Sequence, residues 1–178
     1  MKSTPALDQK HPHGYTVAYE REEIQFPVYV VGFVSACFAV AGISLDNIFL
    51  IALALIAFGF AYYNFPLLET GRPRIGASQY GIFADGLGII SWRAVKRLDL
   101  IPIEIRGTAS NELRIMLQEP LDRALLADWR KRPFYRFLMR LPWTKLGDDV
   151  IRIPLDVFDR PAEQIHQNFE RMMAFYRR

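Results

Sequence analysis

A chain of 178 residues, 51% hydrophobic and with a formal net charge of +3, is long enough for one modest domain and a further segment. Its mean hydropathy of +0.06 is high for a water-soluble protein. The single cysteine, Cys37, excludes an intramolecular disulfide framework and a zinc cluster of several thiolates.

The charge is unevenly spread. Residues 1–65 carry three basic side chains (Lys2, Lys10, Arg21) and five acidic ones, which leaves 19 basic and 14 acidic for the remainder. Apolar character is concentrated early and positive charge late. Residues 1–25 read as a tail. His11 and His13 flank Pro12 there, a spacing too irregular to build a metal or catalytic site. Val34-Ser35-Ala36-Cys37 has the look of a lipoprotein cleavage box. The preceding segment is long and acidic at Glu20, Glu22 and Glu23, and the apolar run continues past the cysteine, so Cys37 is expected as a small buried hydrophobe instead.

Phe26–Leu45 and Ile48–Phe65 contain no charged residue. At about 1.5 Å of rise per residue, some 20 residues cross a hydrocarbon layer of about 30 Å. The two runs predict a transmembrane hairpin, turned at Asp46-Asn47. Arg21, Arg72 and Arg74 flank the outer ends and the turn has no basic residue, so both termini are expected to be cytoplasmic. Tyr29, Tyr62 and Tyr63 fall at the same interfacial level. The pairs Gly32/Ala36 and Ala57/Ala61 predict packing of one span on the other, with homodimerisation through the same faces as the alternative. No ionisable residue interrupts either span, which argues against an ion path.

From residue 70 to 178 the pattern is that of a β-rich domain. "SQYGIFADGLGIISW" places two strands around Asp85-Gly86, a pair suited to a type I′ turn. "LDLIPIEIRG" and "ELRIMLQE" alternate with period two and are joined by "GTASN"; "VIRIPL" adds another strand. From Asp159 onward a helix is expected, capped by Asp159, with Ile165, Phe169, Met172 and Tyr176 on its buried face and His166 toward solvent.

The segment "RPRIGASQYGI", a short hairpin and "GIISWRAVKRL", with the ending "IRIPLDVFDRPAEQIHQNF", resembles the PH-like domains of small bacterial inner-membrane proteins with a two-helix anchor. The resemblance covers about residues 70–118 and 150–178, and Trp92 is its only distinctive side chain. It implies an α+β fold, an antiparallel barrel closed by a C-terminal helix, located at the bacterial inner membrane. It does not imply a reaction. Lipid-gripping PH domains carry basic residues around the first hairpin, whereas the turn here is "ADGLG" with no Lys or Arg, so headgroup-specific recognition by that turn is not expected.

A segment of about residues 121–147 interrupts the strands and is expected to be a helical insertion. Leu121, Leu125 and Trp129 are spaced for one short helix. Phe134, Phe137, Leu138 and Leu141 are spaced for a second one after Pro133, with Arg136 and Arg140 on another face. Between Asp128 and Lys145 six basic residues stand against one acid. Trp129, Arg130, Lys131, Arg132, Phe134, Arg136, Phe137, Arg140, Trp143 and Lys145 are therefore the candidate contacts. A basic, bulky-apolar segment suits the surface of an anionic membrane or a protein partner. Nothing around it resembles a nucleic-acid module.

There is no Ser-His-Asp spacing, Gly-rich phosphate loop or CxxC, and neither catalysis nor a cofactor is expected. The leading expectation is a membrane-anchored, non-enzymatic adaptor or accessory subunit that docks another membrane protein. The alternative is a peripheral anionic-lipid sensor acting through residues 128–145.

Overall fold

The computed structural model describes residues 14–20, 25–69, 71–105, 108–131 and 133–177. His11, His13, Arg21 and Arg132 lie outside them.

Two long apolar helices, α1 (Gln25–Ser44) and α2 (Ile48–Asn64), form the hairpin. A 3-10 turn at Phe65–Leu68 extends α2. Both helices are long and apolar enough to cross a membrane. The turn between them is three residues long. Asp46 takes a left-handed φ of 48°, which an aspartate tolerates better than a β-branched residue would. Asn47 caps α2, its side-chain oxygen accepting from the amides of Phe49 and Leu50. The outer faces are apolar all round, with Phe26, Phe33 and Phe49 each more than two-thirds exposed. Such surface is unfavourable in water, where fully burying one such side chain gains about 1.5–3 kcal/mol.

The seam between the helices runs through Val28, Ser35 and Gly42, seven residues apart, and Ala54. At Gly42 an added Cβ would sit 2.8 Å from the Ile51 side chain, so the glycine sets how closely the helices approach. Ser35 Oγ donates to the Ala54 carbonyl at 2.8 Å, which satisfies a hydroxyl in an apolar setting. The expected Gly32/Ala36 contact is not this seam: Ala36 is exposed, and nothing lies within 4 Å of a Cβ on Gly32. Cys37 likewise faces outward and is not a buried hydrophobe. With a seam repeating every seven residues, positions 36 and 37 turn away from it, while Gly32, one turn from Val28, sits at its margin beside a gap between the helices.

The β-domain consists of two antiparallel sheets, and among the described residues they do not close into a barrel. The first sheet has the order β1 (Tyr15–Val17), β2 (Ile75–Ala77), β3 (Gly81–Ala84), β4 (Gly88–Ser91) and β7 (Leu125–Asp128). The second has β5 (Val95–Ile105), β6 (Thr108–Leu117), β9 (Val150–Pro154) and β8 (Thr144–Lys145). The residues before α1 are thus more than a tail. Tyr15–Val17 pairs with Ile75–Ala77, and Val17 and Tyr19 are core residues. The C-terminal helix α4 (Ala162–Tyr176) packs on β5, β6 and β2.

Four local expectations change. The β3–β4 turn has positive φ at Gly86 but not at Asp85, and the Leu87 amide closes it on the Ala84 carbonyl. This is the dihedral signature of type II, not type I′. "GTASN" is mostly strand, since Ile105 pairs with Thr108. Pro102 is accommodated because β5 is an edge of its sheet. Asp159 does not cap α4: the cap position is Pro161, with no side-chain hydrogen bond, and the Asp159 amide instead donates to the Ala18 carbonyl. His166 is half-buried, its Nε2 3.2 Å from the Leu98 carbonyl, because α4 lies across β5. The expected stripe holds for Ile165, Phe169 and Met172, which are buried, and for Tyr176, which packs at the margin of the core.

Candidate functional site

The insertion is not helical. After one helical turn, α3 (Leu121–Ala124), the chain becomes strand β7 on the open edge of β4, then an irregular segment with a 3-10 turn at Phe134–Arg136. An unpaired edge of β4 would leave a row of peptide groups without partners, and satisfying them outweighs the helical spacing of Leu121, Leu125 and Trp129. The close approach requires Gly88, where an added Cβ would fall 1.8 Å from the Ala127 carbonyl oxygen.

Beyond β7 the segment folds back onto the domain end of the hairpin. The Arg140 amide donates to the Tyr63 carbonyl at 2.8 Å. The Tyr62 hydroxyl donates to the Tyr135 carbonyl. Arg136 pairs with Glu69 at 3.3 Å. Trp143 Nε1 donates to the Asp85 carbonyl at 3.2 Å, and its ring packs at the margin of the core. Consequently the large apolar side chains are left outside: Phe134 is 95% exposed, Phe137 73% and Leu138 67%. They project from a segment tied to the Tyr62–Tyr63 end of α2. Outside the hairpin and residues 125–146, the exposed large hydrophobic side chains among the described residues are Tyr80 and Phe175, which are scattered and form no comparable patch.

The basic residues divide by partner. Arg130 is held by Asp128 through its amide, Nε and a terminal nitrogen, and by Asp122 at 2.7 Å. Those bonds lower the Asp128 carboxyl to about 2 and raise the guanidinium. Lys145 pairs with Asp148 at 2.8 Å and holds that carboxyl below its usual range. Lys131 and Arg140 form no ion pair among the described residues. Six basic residues therefore do not act as six free charges.

Sequence reasoning missed the centre of the junction. Arg74 is 2% exposed. It pairs with Asp85, with Glu69 at 2.8 Å and with the Pro66 carbonyl at 2.9 Å, and its guanidinium lies 5.2 Å from the Tyr19 ring. Burial pushes the Tyr19 phenol up to about 12. Glu69 also takes Arg72 at 3.3 Å. The only trace of this in the sequence is an arginine immediately before a strand, where it reads as a charge at the membrane flank. In the folded chain Arg74 is therefore part of a buried structural pair rather than a free surface charge.

Two grooves adjoin this junction. The first, about 330 Å³, is lined by Arg72, Lys131 and Arg136, by the Phe83 and Trp129 rings and by Asp85. The second, about 520 Å³ and mostly apolar, lies between the helices at their domain end, with Gly32, Phe33, Phe58, Ala61 and Tyr62 as walls and Met139 of the insertion beside them. Among the described residues no group of three His, Cys, Asp or Glu could hold a metal ion. Neither a protein-family model, nor a curated protein, nor a solved structure matches the chain, so the assignment of this site rests on its own geometry.

Proposed function

We propose that this is a non-enzymatic, membrane-anchored module of the bacterial inner membrane. Its hairpin spans the bilayer with both termini cytoplasmic, and its β-domain is seated on the lipid surface by residues 128–145. One observation carries the proposal: Phe134, Phe137 and Leu138 are exposed on a segment bonded to the Tyr62–Tyr63 end of α2, the level at which a spanning helix meets the headgroups. Bulky apolar groups beside cationic ones suit that boundary, where Lys131 and Arg140 would face anionic lipid.

Two antiparallel sheets with a C-terminal helix support a PH-like reading of the domain. The accessory-subunit role expected from the sequence has less support, because among the described residues the β-domain shows no second apolar patch.

In the full chain with Cys37→Ser, a spin label at Phe134→Cys in anionic bilayers is expected to be accessible to oxygen and shielded from a water-soluble relaxation agent. A label at Gln167→Cys, on the exposed side of α4, should show the opposite. Equal access of the water-soluble agent to both positions would overturn the surface reading.

Orientation is tested separately. The hairpin turn carries no basic residue, whereas Arg72 follows α2. In the same cysteine-free background, an impermeant thiol reagent added to intact cells should label Ser44→Cys and not Gln167→Cys. The reverse pattern would place the β-domain on the other side.

A further inference from the structure

The two grooves are joined by the insertion. Met139 borders the apolar groove and also a narrow crevice that it shares with Arg136, and Arg136 in turn lines the cationic groove. The three openings therefore follow one another along the insertion, and a path from the apolar slot between the helices to the basic pocket would cross a crevice of only about 30 Å³. Around that path Arg72, Arg74, Lys131, Arg136 and Arg140 face Glu69 and Asp85, an excess of positive charge.

We propose that this path holds one anionic glycerophospholipid, an acyl chain lying between the helices against Gly32 and its phosphate at Lys131, Arg72 and Arg136. The inference rests on the membrane-surface reading above and names the lipid that the surface selects. Four features support it. The slot is open at Gly32, where a Cβ would meet nothing within 4 Å, so a flexible chain can lie against the helix backbone. Its volume of about 520 Å³ is within the range of small-ligand sites. A helix of about 10 Å diameter would fill that space in about one turn, which is short for a partner span. A protein helix also gives no reason for cations at one end of the slot, whereas a phosphodiester does. The aromatic rings of Phe83 and Trp129 suit the glycerol and carbonyl region of such a lipid.

The test uses the full-length protein in mild detergent, given equal phosphatidylglycerol and phosphatidylcholine with identical acyl chains, and native mass spectrometry of retained lipid. One phosphatidylglycerol per chain is expected, at least tenfold over phosphatidylcholine. Lys131→Gln with Arg72→Gln should reduce that preference at least fivefold. Gly32→Phe should reduce retention of both lipids by filling the slot.

A diazirine placed on the acyl chain gives an independent measurement on the unaltered protein and should crosslink to Phe33, Phe58 or Tyr62. Equal retention of the two lipids, crosslinks confined to other faces of the hairpin, or a dimer in which a second copy covers Gly32 would each overturn the proposal. An immersed Phe134 label with no retained lipid would sink this inference alone. A water-exposed Phe134 label would sink the surface reading itself.

Discussion

Arg74→Met is expected to lower the stability of the β-domain by about 3 kcal/mol, the lower end of what removing one partner of a buried ion pair costs. The guanidinium is buried, yet Asp85 and Glu69 keep about a quarter of their side-chain surface, so water can partly rehydrate the stranded carboxylates. The change also deletes the bond to the Pro66 carbonyl and the contact with the Tyr19 ring. Lysine should rescue little, because one ammonium cannot reach both carboxylates with the planar fork that arginine provides. The double variant Arg74→Met/Asp85→Asn should be less unstable than the two single changes summed, since it removes one of the charges left unpaired. Urea unfolding of the full chain in mild detergent, followed by tryptophan fluorescence, measures these three variants and Asp85→Asn alone. Additive losses would mean that the Arg74–Asp85 pair is not what Arg74 contributes, and an unchanged midpoint for Arg74→Met would mean that the junction does not depend on this residue. The consequence extends to function. Arg74 links Pro66 and Glu69, just beyond α2, to Asp85 in the β3–β4 turn, so its loss should loosen the domain from the hairpin as well as destabilise it.

Trp92→Ala is expected to cost about 3–5 kcal/mol, as large aromatic truncations in cores do. Trp92 is 2% exposed and lies in the 3-10 turn that carries the chain from β4 of one sheet to β5 of the other. It therefore packs where the two sheets diverge. Its Nε1 donates to the Ser78 carbonyl at 2.8 Å. Because the same carbonyl also accepts from the Gly81 amide, Trp92→Phe leaves no bare acceptor. That change should cost only about 1 kcal/mol for the lost bond plus the smaller volume. Comparable losses for Ala and Phe would show that the hydrogen bond, and not the packing, is what the position supplies.

The hairpin was legible in the sequence because its signal is local. An uninterrupted apolar run of a given length admits few structures, and the break at Asp46-Asn47 marks the turn from composition alone. The strands around Asp85-Gly86, the alternation through Leu113, Ile115 and Leu117, and the stripe Ile165, Phe169 and Met172 were legible for the same reason. Each is a periodicity read within one element, and burial follows from it. A large side chain beside an apolar run has few places to go other than the core, and Trp92 is buried there.

What only the tertiary structure decided involves partners far apart in the chain. Leu125–Asp128 has helical spacing behind it and is nevertheless a strand, because the edge of β4, some 37 residues earlier in sequence, supplies hydrogen bonds that a short isolated helix cannot match. Tyr15–Val17 becomes a strand only because β2 lies across the hairpin from it. Arg74 and Arg130 look like free positive charges until the fold brings Glu69, Asp85 and Asp122 to them. The candidate surface follows the same rule. Composition marks residues 128–145 as basic and aromatic, but the bonds from Arg140 and Tyr62 leave Phe134 and Phe137 outside and bring Trp143 to the margin of the core. Spacing along a chain orders side chains within one element. Which of them remain exposed depends on the neighbouring elements, and those are chosen by contacts that no short window of sequence contains.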